Sequence, residues 1–215
     1  MSEGNNKYPP MKKNILNENK IKLYGVPLEG SKRAPTLSFS VIANMPRMTV
    51  FFNDNANNRA TAAMAPGAFF TFLEMVLEVC NAPADTLWPV YNFTGPPNEK
   101  IQVSTTYVGK DQKGQVYVSI GEKDKPKTKF IFRADSYHHI KDKSGEDLSE
   151  ALVSTLVARA WVRMLGEFIS QLLVDNFVER DTRPQGGGRQ YSQSRSSGSN
   201  NSAYADDFGD DLPLH

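Results

Sequence analysis

Residues 36–52 read TLSFSVIANMPRMTVFF. In TLSFSVIA (36–43), Leu37, Phe39 and Val41 alternate with Thr36, Ser38 and Ser40, and in RMTVFF (47–52) Met48, Val50 and Phe52 alternate with Arg47 and Phe51. A period of two sends successive side chains to opposite faces of a pleated strand, so the stretch predicts two antiparallel strands with one apolar and one polar face. IKLYGV (21–26) follows the same rule and adds a strand upstream. Beyond the asparagine-rich loop NDNANN (53–58) the period becomes 3.6. Phe69, Phe72, Leu73, Val76, Leu77 and Cys80 then share one face of a helix that opens at Pro66 and ends near Asn81, because Pro83 cannot continue it.

The order repeats after a linker holding Trp88 and Pro89. KIQVSTTYVG (100–109), QVYVSIG (115–121) and KTKFIFRA (127–134) alternate again. Ser144–Asp147 has the form of a capping box, and Val153, Val157, Trp161, Leu165, Phe168 and Leu172 make the apolar stripe of a second, longer helix. The expected fold class is α+β, two antiparallel β-sheet units each followed by a helix. That element order resembles the Whirly family of single-stranded DNA-binding proteins over roughly residues 20–178. The same strands leave open an OB-type barrel with helices.

At 215 residues and 39% hydrophobic content the chain can bury one sizeable core. Its single cysteine, Cys80, sits in an apolar run and reads as a small buried hydrophobe in a reducing compartment. No run of apolar residues is long enough to span a membrane, and MSEGNNKYPPMKKN lacks the apolar core of a signal peptide, so a cytoplasmic location is expected. The boundaries expected are a flexible arm over 1–19, a single-stranded-DNA-binding domain over 20–180, a disordered Gly/Ser/Gln/Asn-rich linker over 181–203 and an acidic tail over 204–215.

The binding expectation comes from the outward faces. With Phe130 and Phe132 turned inward, Lys127, Lys129 and Arg133 line the other side of their strand, and burying Val116, Val118 and Ile120 sends Tyr117 out beside them. Residues 100–143 carry ten basic and five acidic side chains, a local +5. The first unit offers Lys20, Lys22 and Tyr24 on one strand and Arg47 and Phe51 on another. Cations neutralise phosphates while flat rings stack on bases that a duplex would cover, which is the chemistry of single-stranded DNA recognition without sequence choice. The plain alternative is that such lysines only keep a sheet soluble and guard its edges.

Nothing in the chain argues for catalysis or a cofactor. His138-His139 has no third ligand beside it, the GGG at 186–188 lies in the linker, and no nucleophile motif or phosphate-binding loop is present, so neither an enzyme nor a metal is expected. The tail YADDFGDDLPLH (204–215) concentrates Asp206, Asp207, Asp210 and Asp211 with Phe208, Leu212 and Leu214. A globular body, a flexible linker and such a tip resemble bacterial and phage single-stranded DNA-binding proteins, whose tips run from acidic residues through an aliphatic and a proline to a final phenylalanine. Here Leu214 takes that last place and His215 is added, so Phe208 stands in for the terminal aromatic and a different reader is implied. The resemblance implies a phage protein that coats single-stranded DNA in replication or recombination and recruits a polymerase or another replication protein through its tail. A transcription cofactor that brings an RNA polymerase to opened promoters shares the same features, and a virion or scaffold protein with an incidental basic sheet is the third class. The length of the second helix adds the expectation of a homo-oligomer.

Overall fold

The computed structural model describes residues 15–19, 21–52, 58–96 and 98–179. Strands β1 (Leu23–Tyr24), β2 (Thr36–Ile42), β3 (Met45–Phe51) and β4 (Arg59–Ala63) form one antiparallel sheet in chain order, followed by helix α1 (Pro66–Asn81). Strands β5 (Thr86–Thr94), β6 (Ile101–Lys110), β7 (Val116–Gly121) and β8 (Phe130–Ile131) form a second in the same manner, followed by helix α2 (Glu150–Asp175). The architecture is α+β with two sheet-then-helix units, as the periodicity predicts. Two separate four-stranded sheets replace the barrel alternative.

The stretch 36–52 is a hairpin closed by a two-residue loop, Ala43 and Asn44, both at positive φ (50° and 62°), the twist that tight antiparallel hairpins favour. Leu37, Phe39, Met48 and Val50 are buried on its inner face. The Asn44 amide donates to the Val178 carbonyl at 2.7 Å and accepts from its N–H at 2.8 Å, tying the chain beyond α2 to this turn. α1 starts at Pro66 and ends where Ala82 turns extended before Pro83. The Lys110 ammonium caps its C-terminus, donating to the carbonyls of Cys80 (3.0 Å) and Ala82 (2.9 Å), where a cation complements the helix dipole.

Trp161 of α2 joins the two halves. It meets Phe39 of the first sheet and Phe132, just after β8, edge-on, each with ring centroids at 5.1 Å, and its indole N–H donates to the Ile21 carbonyl at 3.3 Å. The sheets also touch at their edges: Gly25, after β1, packs against Thr128 and Phe130, and the Thr61 N–H on β4 donates to Glu122 at 3.2 Å.

Several expectations are corrected. The linker expected around Trp88 and Pro89 is strand β5, and β4, just after the asparagine-rich loop, is a strand that the sequence pattern does not announce. Ala60 and Ala62 carry little strand propensity yet fill the inner face, and Pro89 is tolerated because β5 is an edge strand. The strand expected over 127–134 is ladder-paired only at Phe130–Ile131, although its alternation persists, with Thr128, Phe130 and Phe132 buried. The capping box at Ser144–Asp147 does not start α2. Asp142 instead collects the N–H and hydroxyl of Ser144 and the N–H of Glu146 in a tight turn, and Ser149 caps the helix by accepting from Leu152 N–H. The buried line of α2 is rotated from the expected stripe: Ser154, Ala158 and Ile169 are buried, while Val153, Val157 and Phe168 are half-buried. The Ser154 hydroxyl explains part of this, accepting from the Val116 N–H at 2.9 Å. The arm expected over 1–19 reaches the core: Ile15–Asn17 is one 3-10 turn that buries Leu16.

Candidate nucleic-acid interface

The register of the first sheet sets out its outer face row by row. Tyr24, Thr36, Phe51 and Arg59 lie across the four strands, then Ser38, Thr49 and Thr61, then Ser40, Arg47 and Ala63. Tyr24 is 53% exposed, and Arg47 and Phe51 are half-buried. Lys22 is half-buried and its ammonium donates to the Asn19 side chain at 3.0 Å. Lys20 lies outside the described residues, as do the tail residues Asp206, Asp207, Phe208, Asp210, Asp211, Leu212 and Leu214. Arg59 is a further cation on this face, on a strand that the alternation in the sequence does not announce. The Thr49 and Thr61 hydroxyls, 3.4 Å apart, complete a polar row beside it.

The outer face of the second sheet is built differently. Lys127, Lys129 and Arg133 are exposed along its β8 side, as the alternation predicts. Tyr117 points to this face but is only 6% exposed, which corrects its reading as a free stacking surface. Its partner across β6 is Gly109, and the ring fills the space a side chain would take: a Cβ on Gly109 would lie 2.6 Å from the ring and hydroxyl. The Lys129 ammonium then covers the ring at 4.4 Å from its centroid, a cation–π contact. Burial raises the phenol's pKa, and the carboxylates of Asp111 and Asp85 push it the same way.

Tyr107 repeats the device with Gly121, where a Cβ would sit 3.2 Å from its ring. Tyr107 is half-buried, and Tyr91 on β5, in the row of Thr105 and Gly121, is 56% exposed. Neither was singled out from sequence: Tyr107 owes its place to Gly121 on neighbouring β7, and Tyr91 lies in the stretch expected to be a linker. Tyr107, Gln102, Thr105, Lys123, Lys127 and the acid Glu122 are among the residues lining an open groove of about 280 Å³ on this side. Beyond, β6 outruns β7, so Ile101–Ser104 pair only with β5, and this projecting hairpin carries exposed Phe93, Ile101 and Val103.

None of Arg47, Arg59, Lys127, Lys129 and Arg133 pairs with a described carboxylate; the ion pairs seen are His138–Asp135 at 2.7 Å and Lys141–Asp147 at 3.7 Å. His138 is thus engaged with Asp135, whose carboxyl this bond and the Tyr137 N–H hold below its usual range. Among the described residues no three His, Cys, Asp or Glu side chains gather as a metal site, and no helix is long and apolar enough to cross a membrane. Cys80 is buried, and its burial raises the thiol pKa despite nearby Arg159. No family model matches this chain, and no curated protein or solved structure is significantly similar to it.

Proposed function

We propose that this protein binds single-stranded DNA with little regard to sequence, acting as a coating protein and not as an enzyme. The observation that carries the proposal is the pairing, on the outward faces of both sheets, of aromatic rings with cations that have no acidic partner among the described residues: Tyr24, Phe51, Arg47 and Arg59 on one, Tyr91, Tyr107, Lys127, Lys129 and Arg133 on the other. Unpaired cations release counterions from phosphates, and flat rings at a sheet surface stack on unpaired bases at about 1–3 kcal/mol each. A duplex hides its base faces, so the same surface favours single strands.

The body works with the acidic tail, residues 204–215, which competes with DNA for these cations and offers Phe208, Leu212 and Leu214 to a polymerase or other replication protein. Copies assemble along the strand through the helix side, where Val174 and Phe177 are 74% and 69% exposed beside the apolar groove between α1 and α2. The setting that fits is phage DNA replication or recombination. Titrating the full chain with single-stranded DNA, duplex DNA and single-stranded RNA at several salt concentrations tests the proposal. Preference for single-stranded DNA with affinity falling as salt rises is expected; equal affinity for duplex and single strand would overturn the stacking argument.

A further inference from the structure

The geometry points to a built phosphate seat at Arg47, on the outer face of the first sheet, that takes one phosphodiester group of a bound strand. This deepens the single-strand reading and rests on it. Arg47 Nε is sealed from solvent and has no hydrogen-bond partner among the described residues. A guanidinium is permanently charged and offers donors only, so a buried N–H without an acceptor leaves a desolvation cost that a well-packed protein site normally avoids. The site makes sense when the missing acceptor arrives with a ligand.

The surroundings define that ligand. Arg47 is flanked across the sheet by Ser40 and Ala63, and two residues along its strand stand Thr49 and, opposite it, Thr61. The outward rows across β2, β3 and β4 hold hydroxyls, alanine, methionine, isoleucine, Phe51 and the second cation Arg59, and no acid. Glu122 reaches β4 from the second sheet, but its carboxylate accepts the Thr61 N–H at 3.2 Å. An anion with several acceptor oxygens fits a guanidinium fork beside hydroxyl donors. Phe51 stands four residues further along the same strand face, about 13 Å away at the rise of a β-strand. That distance exceeds the reach from one phosphate to its own base, so a ligand that uses both is a chain of nucleotides.

The test uses the full chain, a short oligothymidylate and inorganic phosphate. The Arg47 Nε–H resonance, assigned by its loss in Arg47→Gln, is expected to move when oligothymidylate is added. Arg47→Gln should weaken oligothymidylate binding about 10-fold and lower the salt slope by about 0.7, the share of one phosphate contact on a single strand. Arg47→Lys should keep the slope yet recover little affinity, because an ammonium lacks the fork. Both variants should keep or raise the thermal midpoint, since the group removed is an unpaired buried donor. If the wild type binds oligothymidylate but Arg47→Gln binds with the same affinity and slope, the seat is wrong and the single-strand reading stands. If oligothymidylate fails to bind while inorganic phosphate moves the resonance, the seat serves a free phosphate and the single-strand reading falls. A resonance that neither probe moves refutes the seat outright.

Discussion

Replacing Lys127, Lys129 and Arg133 together with alanine separates a phosphate-binding edge from a merely solvated one. All three side chains are exposed along the β8 side of the second sheet without a described acidic partner. Each phosphate contact on a single strand contributes about 0.7 to the slope of log affinity against log salt, so three contacts contribute about 2. Across a fourfold rise in salt, from about 50 to 200 mM, the wild type should therefore lose roughly 20-fold more affinity than the triple variant. The loss at low salt should be similar on all sequences, because phosphate contacts carry no base information. Exposed replacements of this kind usually change stability by only about 0.5 kcal/mol, so the variant should fold. Lys141→Ala serves as the control, its ammonium being engaged with Asp147 at 3.7 Å. Fluorescence titration of a labelled oligonucleotide over the salt series reads the slopes. A triple variant with the wild-type slope would refute the assignment of this edge to phosphate and leave it the role of keeping the sheet soluble.

Trp161→Ala removes the ring that holds Phe39 and Phe132 together and should cost about 3–5 kcal/mol, lowering the thermal midpoint by roughly 10 °C; a shift of a degree or two would mean that the halves do not depend on this contact. Gly109→Ala should cost about 1–3 kcal/mol, since the new methyl meets both the Tyr117 ring and the Thr86 carbonyl at 2.9 Å, and a neutral result in chemical denaturation would contradict the packing. Tyr117 has a raised pKa in the folded protein, so its contribution to stability is full below the ordinary tyrosine pKa of about 10 and is lost as pH rises through the folded value; Tyr117→Phe should flatten that alkaline loss. Removing residues 204–215 deletes four aspartates and should tighten single-strand binding at low salt, with the gain fading as salt rises; binding that is unchanged at low salt would remove the tail as a competitor.

The parts of the fold legible in sequence are those where one face is strongly apolar. Leu37, Phe39, Met48 and Val50 announce β2 and β3, and Phe69, Phe72 and Val76 announce α1 with its proline start. β4 and β5 escaped because their signals are weak for physical reasons. β4 turns alanines, which are weak strand formers, into the core, and β5 is an edge strand that can hold Pro89. The start of α2 was misplaced because Asp142, two residues before the expected cap, takes the local donors first. Capping signals in sequence identify residues able to cap; which one does so depends on competing acceptors nearby.

The candidate site shows a sharper limit. Period two states which side of a sheet a residue faces, and on that count Lys127, Lys129, Arg133, Arg47, Phe51 and Tyr117 all lie where the pattern puts them. It does not state what covers that side, because cover comes from register partners on other strands. Tyr117 faces Gly109, so its ring collapses onto the sheet and Lys129 closes over it. Tyr24 is paired with Thr36 on a short edge strand and stays open. The consequence for binding is specific. On the proposed single-strand reading, Tyr24 and Tyr91 offer rings that are already exposed, whereas stacking on Tyr117 would first require Lys129 to leave the ring. On the single-strand reading proposed above, a phosphate that draws Lys129 away uncovers that ring, so at Tyr117 the electrostatic contact comes before the stacking one.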